Sequence, residues 1–441
     1  AIVLTSKAWG QEGGNDISVD VQAPKESNAE LQIEINGNQI TVNLATNASG
    51  EPSSTANDVI DAMNKQANDL VMATPFRDYE GKGIVQVQKK TLLDDGLHAP
   101  KDEVKRGPFE MKAIRIGKHR DGSKVGVLAY SQEHAREWVT PLVAVETAER
   151  LLRNYATDSN TKKLVDNLDI FIVPTMNPDG GNYSFYDDNW QRKNMTNYCG
   201  PENSDPYLRD SWGVDLNRND SVGSVYDGYI GGSKNCLSGT YAGPKKLSEP
   251  EEQNLTWLAD QNPNIKFAMD IHSYGGYFMW PPGAYDENRN TLPRPTAGEE
   301  DYFWQASKTI LEKIKQYRGT VVLPGRTGPV PDVLYSAGGN SADELWYNHG
   351  IYAWDFEVGT DLWNAETKRW EPVGFQPPFE EGHAEGMEFA NGLMGMLDVA
   401  YQYEKDKKPP HSTISPEKGR YDGPVEVSFD TSEPATIYYT M

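Results

Sequence analysis

The apolar positions along the chain fall into two rhythms. Val125, Val127, Leu128, Ala129 and Tyr130 form a near-continuous run, and so do Ile265, Phe267, Ala268, Met269 and Ile271. Runs of this length bounded by polar residues predict buried strands, as does 169–174. Leu142, Val145, Ala148, Leu151 and Leu152 instead recur at helical spacing behind Thr140-Pro141, which reads as an N-cap followed by proline at the first helical position. Helical spacing returns at 299–317 and 383–403. From about residue 109 to residue 408 strands therefore alternate with helices, predicting an α/β fold with a mixed sheet and helices on both faces.

The ends of the chain are patterned differently. Residues 31–35 and 39–44 alternate around Asn36-Gly37-Asn38, a hairpin signal. Val59, Ile60, Met63, Ala67, Leu70 and Val71 then share a helical face within 54–72, and 83–88 reads as a strand. A small α+β module of β-β-α-β order over 1–97 is expected. After a charged, proline-ended linker at 405–410, the tail alternates at 425–429 and 435–439, the opening of a β-sandwich cut short. The domains expected are thus 1–97, 98–408 and 409–441.

Candidate chemistry sits at the ends of the two apolar runs. His134 and Glu137 follow the first, and His272 closes the second. Both histidines fall at carboxyl ends of expected strands, where open α/β sheets place their sites. Two imidazoles and a carboxylate are the ligand set of a catalytic zinc with its fourth position open.

With these motifs in view, the chain resembles a zinc carboxypeptidase of the carboxypeptidase A type over roughly 109–403. His134-Ala135-Arg136-Glu137-Trp138 resembles the first metal motif, and Ile271-His272-Ser273-Tyr274 the strand with the third ligand. Asn177-Pro178-Asp179-Gly180, Gln191-Arg192-Lys193 and Asp215-Leu216-Asn217-Arg218-Asn219 lie between them in the family's order. Leu334-Tyr335-Ser336-Ala337-Gly338-Gly339 resembles the mobile tyrosine loop, and Ala353-Trp354-Asp355-Phe356-Glu357 the strand ending in the catalytic glutamate.

The resemblance implies an eight-stranded type of sheet and Zn2+ held by His134, Glu137 and His272. It makes Glu357 the general base and Arg192 the cation that stabilises the developing oxyanion. Arg218 and Asn217 would read the substrate's terminal carboxylate, Tyr335 would fold over it, and Tyr274 would line the subsite across the scissile bond. The implied substrate is a peptide or protein with a free C-terminus. Residues 339–344 are expected to wall the specificity pocket; Asp343 at its base favours a basic terminal residue, Ser341 or Ala342 an apolar or mixed one. Cys199 and Cys236 bracket the Asn217-Arg218 segment, where the family has a disulfide across a similar loop, implying a bond and an oxidising compartment. The family's opening helix and strand are not recognised before Phe109. The module at 1–97 accordingly reads as an insertion into the core, with 110–116 as a second core strand; an abbreviated core is the alternative. The module is expected to be structural decoration, with attachment to a surface or polysaccharide the competing role.

Composition narrows the partners. With 65 acidic against 42 basic residues, the net charge of -23 argues against nucleic acid or an anionic membrane. No apolar run is long enough to span a membrane. Residues 1–6 lack the basic start and long apolar stretch of a signal peptide, so the chain reads as a mature or trimmed, secreted form. No calcium-binding loop is recognisable. The competing functions are a zinc endopeptidase or amidase on cell-wall peptides, disfavoured by the Asn217-Arg218 clamp, and a peptide-binding pseudoenzyme, disfavoured by the intact ligand set and Glu357.

Overall fold

A computed structural model describes residues 1–8, 10–76, 80–94, 104–199, 212–406, 412–416, 421–431 and 437. The N-terminal module comprises β1 (Ile2–Ser6), β2 (Ser18–Gln22), β3 (Gln32–Asn36), β4 (Gln39–Asn43), α1 (Ala56–Gln66), β5 (Val71–Pro75) and β6 (Gln88–Leu92). The larger region follows with β7 (Ile114–Ile116), β8 (Val125–Ser131), α2 (Thr140–Asn154), α3 (Ser159–Asn167), β9 (Leu168–Val173), α4 (Pro178–Tyr186) and α5 (Pro250–Gln261). It continues through β10 (Ile265–Ser273), β11 (Tyr277–Trp280), α6 (Ala297–Arg318), β12 (Thr327–Pro329), α7 (Val330–Val333), α8 (Ser341–His349), β13 (Tyr352–Val358), β14 (Leu362–Asn364), β15 (Arg369–Glu371) and α9 (Phe379–Lys405). The tail holds β16 (Ser412–Ser415) and β17 (Ser428–Thr431).

The central sheet runs β12-β11-β13-β10-β8-β9-β7. Its inner strands β13, β10, β8 and β9 are parallel, while β7 and β11 pair antiparallel with their neighbours β9 and β13. Seven strands are found among the described residues where eight were expected, because Ile114–Ile116 is itself the edge strand. Strand alternation divides the core in two. Val125, Val127 and Ala129 of β8, Phe267, Met269 and Ile271 of β10, and Trp354, Phe356 and Val358 of β13 pack with α2, α3, α6 and α9. Leu128, Tyr130, Ala268 and Ala353 point the other way, onto Leu255 of α5 and Leu345 of α8.

Several boundaries differ from the sequence expectation. Thr140 is not an N-cap: Val139 occupies that position. The Thr140 hydroxyl instead donates to the Glu137 carbonyl at 2.9 Å and accepts from the Gln132 N–H at 3.1 Å, tying the metal loop to the helix. In the N-terminal module β2 pairs parallel with β4 and β1 pairs with β5, strands that local alternation does not reveal because their partners are distant. The α1 helix stops at Gln66, and Val71 opens β5 rather than closing a helix. Residues 83–87 make only an isolated bridge between Ile84 and Thr55, so the expected strand starts later, at Gln88. In the tail β16 pairs with β17 from Ser412 opposite Thr431 to Ser415 opposite Ser428, so this strand starts later than the expected 425–429. The expected strand at 435–439 and the domain boundaries at 97 and 408 lie outside the described residues, apart from Ile437.

Phe389 of α9 is fully buried and meets Phe356 edge-on at 5.1 Å, joining the longest helix to the sheet behind the site. Phe389→Ala should lower unfolding free energy by about 3–5 kcal/mol in a denaturant titration, the range for deleting a buried phenylalanine side chain.

Candidate metal centre and active site

The carboxyl ends of β8 and β10 bring His134, Glu137 and His272 to one buried point. His134 Nδ1 lies 2.7 Å from a Glu137 carboxylate oxygen, and the two Nδ1 atoms are 3.1 Å apart. His272 Nδ1 is 3.2 Å from the other Glu137 oxygen. The three ligand atoms all lie within 4.8 Å of one another. Zinc–nitrogen bonds of about 2.0–2.1 Å place two nitrogens of a tetrahedral ion roughly 3.3 Å apart. The donor set therefore fits zinc with little adjustment.

Outer partners fix each ligand. His134 Nε2 contacts Asp215 at 3.1 Å, His272 Nε2 contacts Asp270 at 2.7 Å, and the Ser273 N–H donates to Glu137 at 3.0 Å. Carboxylates behind imidazoles set the tautomer and ring orientation. Asp270 follows from alternation, since it precedes His272 by two and shares its face. Asp215 carried no such local signal; it reaches the site from the turn before Asn217. Burial alone would raise the Asp215 and Glu137 carboxyls, but Arg192 with His134 around the first, and the two histidines around the second, hold both well below the usual carboxylate range.

The parallel register of β10 and β13 sets His272 beside Glu357 and Asp270 beside Asp355. Burial, and next the neighbouring Glu137 charge, push Glu357 up to about 8. Arg192 is anchored by Asp215, whose Oδ2 accepts from its Nε at 3.0 Å. The adjacent Lys193 turns away: it is fully buried and donates to the Ser238 carbonyl at 2.9 Å and the Cys236 carbonyl at 3.3 Å. Cys199 and Cys236 are disulfide-bonded, with sulfurs 2.03 Å apart.

A cavity of about 330 Å³ is bordered by His134, Glu137 and His272 and lined by Arg192, Asn217, Arg218, Tyr274, Tyr335 and Glu357 among others. Arg136, Arg192, Arg218 and Tyr335 also border a second cavity of about 540 Å³, so they form the shared mouth. The Arg218 Nε donates to the Gly231 carbonyl at 2.9 Å, and an Nη hydrogen goes to the Asn217 carbonyl. The Asn217 amide nitrogen lies 2.8 Å from His272 Nε2. Tyr335 is 52% exposed, while Tyr274 packs edge-on against Phe375 at 4.9 Å.

The stretch expected to wall the specificity pocket does not reach either cavity. Ser341 donates to Asp270 at 2.8 Å beneath the histidine, and Ala342 packs in the core with Leu345. The Asp343 carboxylate accepts from the Gly283 N–H at 2.8 Å and the Asn340 amide at 2.9 Å. Asn340 caps α8, so that helix starts there and draws the three residues into the interior. Ala337, Met279, Val330, Leu334 and Asp355 line the cavity instead; Leu334, Ala337 and Asp355 stand in sequence motifs but none of the five was expected in this role.

With this geometry in place, comparison with known proteins gives the class. The zinc carboxypeptidase family model matches residues 109–389, and the chain belongs to that family. It is similar to carboxypeptidase O of Bos taurus, 27% identical over 271 residues, covering 61% of this chain and 64% of that protein. Carboxypeptidase A1 of Rattus norvegicus is 30% identical over 266 residues, covering 57% and 58%. The crystal structure of carboxypeptidase A from Helicoverpa armigera superposes with a TM-score of 0.54 at 25% identity, covering 67% of this chain and 66% of that one. The chain thus matches a little under two thirds of the length of these relatives.

The outer-partner geometry predicts that Asp215→Ala weakens zinc binding about 10- to 100-fold. Competition with a fluorescent chelator would measure this, and an unchanged affinity would remove Asp215 as an orienting group.

Proposed function

We propose that the protein is a zinc carboxypeptidase that removes the C-terminal residue of peptides or proteins outside the cell. The observation that carries this reading is the meeting, over one small cavity, of the His134, Glu137 and His272 donor set with Glu357 on one side and arginines on the other. When bound there, zinc supplies a Lewis acid and lowers the pKa of water toward neutrality.

Glu357 takes the proton of the attacking water and returns it to the leaving amine. A carboxyl whose pKa is tuned toward neutrality can serve both halves of that task, first as base and then as acid. Arg192, held rigid by Asp215, faces negative charge as it develops on the carbonyl oxygen and loses little by reorganising. At the mouth Arg218 receives the substrate's terminal carboxylate in a bidentate grip. Asn217 joins it by exchanging its contact with His272 for the substrate. Tyr335, exposed at the rim, closes over the bound residue and excludes water. Tyr274, braced by Phe375, lines the subsite on the opposite side of the scissile bond.

The Cys199–Cys236 bond supports a secreted setting, because disulfides persist in oxidising compartments. No helix among the described residues is long and apolar enough to cross a membrane.

A mass-spectrometric time course on peptides with free or amidated C-termini tests the proposal. Zinc-loaded protein should shorten only free termini, one residue at a time, and a chelator should stop it. Internal cleavage would favour an endopeptidase. In the same assay Glu357→Gln should retain zinc while kcat falls by about 10²- to 10⁴-fold, and full activity in that variant would remove the proposed base.

A further inference from the structure

We infer that Asp355 selects the C-terminal residue and that the residue selected carries a cationic side chain, lysine or arginine. The inference rests on the carboxypeptidase reading and names its substrate class. Asp355 precedes Glu357 by two residues on β13 and lines the same cavity. Alternate strand residues share a face and advance about 3.3 Å each, which sets Asp355 roughly 6–7 Å behind Glu357. A lysine or arginine side chain spans that depth, and a leucine falls short of it.

Much of the remaining lining is apolar. Met279, Val330 and Ala337 are buried together, with Leu334 packed against them, and all four line the cavity. Such walls accommodate the methylene stem of a long basic side chain whose charged head reaches a polar partner.

Asp355 supplies that partner and lacks one of its own. It is only 5% exposed, its Oδ1 is shut from solvent without a hydrogen bond, and no ion pair reaches it among the described residues. Burying a carboxylate in this state is costly unless it is paired. The other carboxylates lining the cavity have work elsewhere: Glu137 holds the two histidines, and Glu357 faces the reacting water. Asp270, beside Asp355 across the ladder, adds negative potential at the floor. Arg136, Arg192 and Arg218 border both cavities, and Arg218 acts on Asp355 through space without an ion pair between them. The cavity thus combines arginines, apolar walls and a carboxylate without a hydrogen bond on its Oδ1. A C-terminal lysine or arginine presents the complementary set of carboxylate, methylenes and cation. An apolar terminal residue would leave Asp355 desolvated against methyl groups.

The test compares kcat/KM of the zinc-loaded protein on peptides that differ only in a C-terminal Arg, Lys, Leu or Phe. Arg and Lys should exceed Leu and Phe by at least about tenfold, and Asp355→Asn and Asp355→Ala should each cut the Arg/Leu ratio by at least about tenfold. A wild-type preference for Leu or Phe, or a ratio unmoved in both variants, would overturn the inference while leaving the carboxypeptidase reading intact. No shortening of any peptide would overturn that reading and this one with it. Should either variant fail to fold, competition on the wild-type protein still decides. Free arginine should inhibit at a concentration at least about tenfold lower than free leucine, and the reverse order would sink the proposal.

Discussion

Parallel pairing of β10 with β13 fixes His272 beside Glu357 and Asp270 beside Asp355, and the remainder of the site is arranged around that ladder. Because strand side chains alternate, the opposite faces of the same strands carry Phe267, Met269, Ile271, Trp354, Phe356 and Val358 into the main core. Helices α2, α6 and α9 packed on that core hold the strands rigid. The functional side chains consequently emerge from a backbone that cannot shift without disturbing the largest apolar cluster. Precision of this kind is what preorganised sites require.

Charge is partitioned around the ladder. The chain as a whole carries -23, yet the mouth of the cavity is bordered by Arg136, Arg192 and Arg218. Asp215 links two parts of the arrangement: one oxygen faces His134 Nε2 and the other accepts from Arg192. The settings of His134 and Arg192 therefore depend on a single buried carboxylate. Carboxylates thus stand behind the histidines, while arginines border the cavity.

Much of this was legible in the sequence because the alternation is strict where it matters. Asp270-Ile271-His272 and Asp355-Phe356-Glu357 each place two polar groups on one face of an otherwise apolar strand, and the ordered motifs supplied the family. Asp215 escaped notice for another reason. Its importance comes from what it touches across the fold, His134 and Arg192, and no local period encodes that. The misplaced specificity wall at 341–343 has the same origin: Asn340 caps a helix that turns those residues inward, whereas Met279 and Val330 reach the cavity from distant segments. In the N-terminal module the hairpin was legible because its partners are neighbours in sequence, while the β2–β4 and β1–β5 pairings were hidden by distance.

One metal between His134, Glu137 and His272 is what the whole arrangement requires. Anomalous diffraction at the zinc edge from crystals of the zinc-loaded protein checks this without recourse to activity. A single strong peak should appear, bonded to His134 Nδ1, His272 Nδ1 and the Glu137 carboxylate. Glu133, Asp270 and His272 form a second group of potential ligand atoms behind the first; a dominant peak there, or none at the first position, would contradict it.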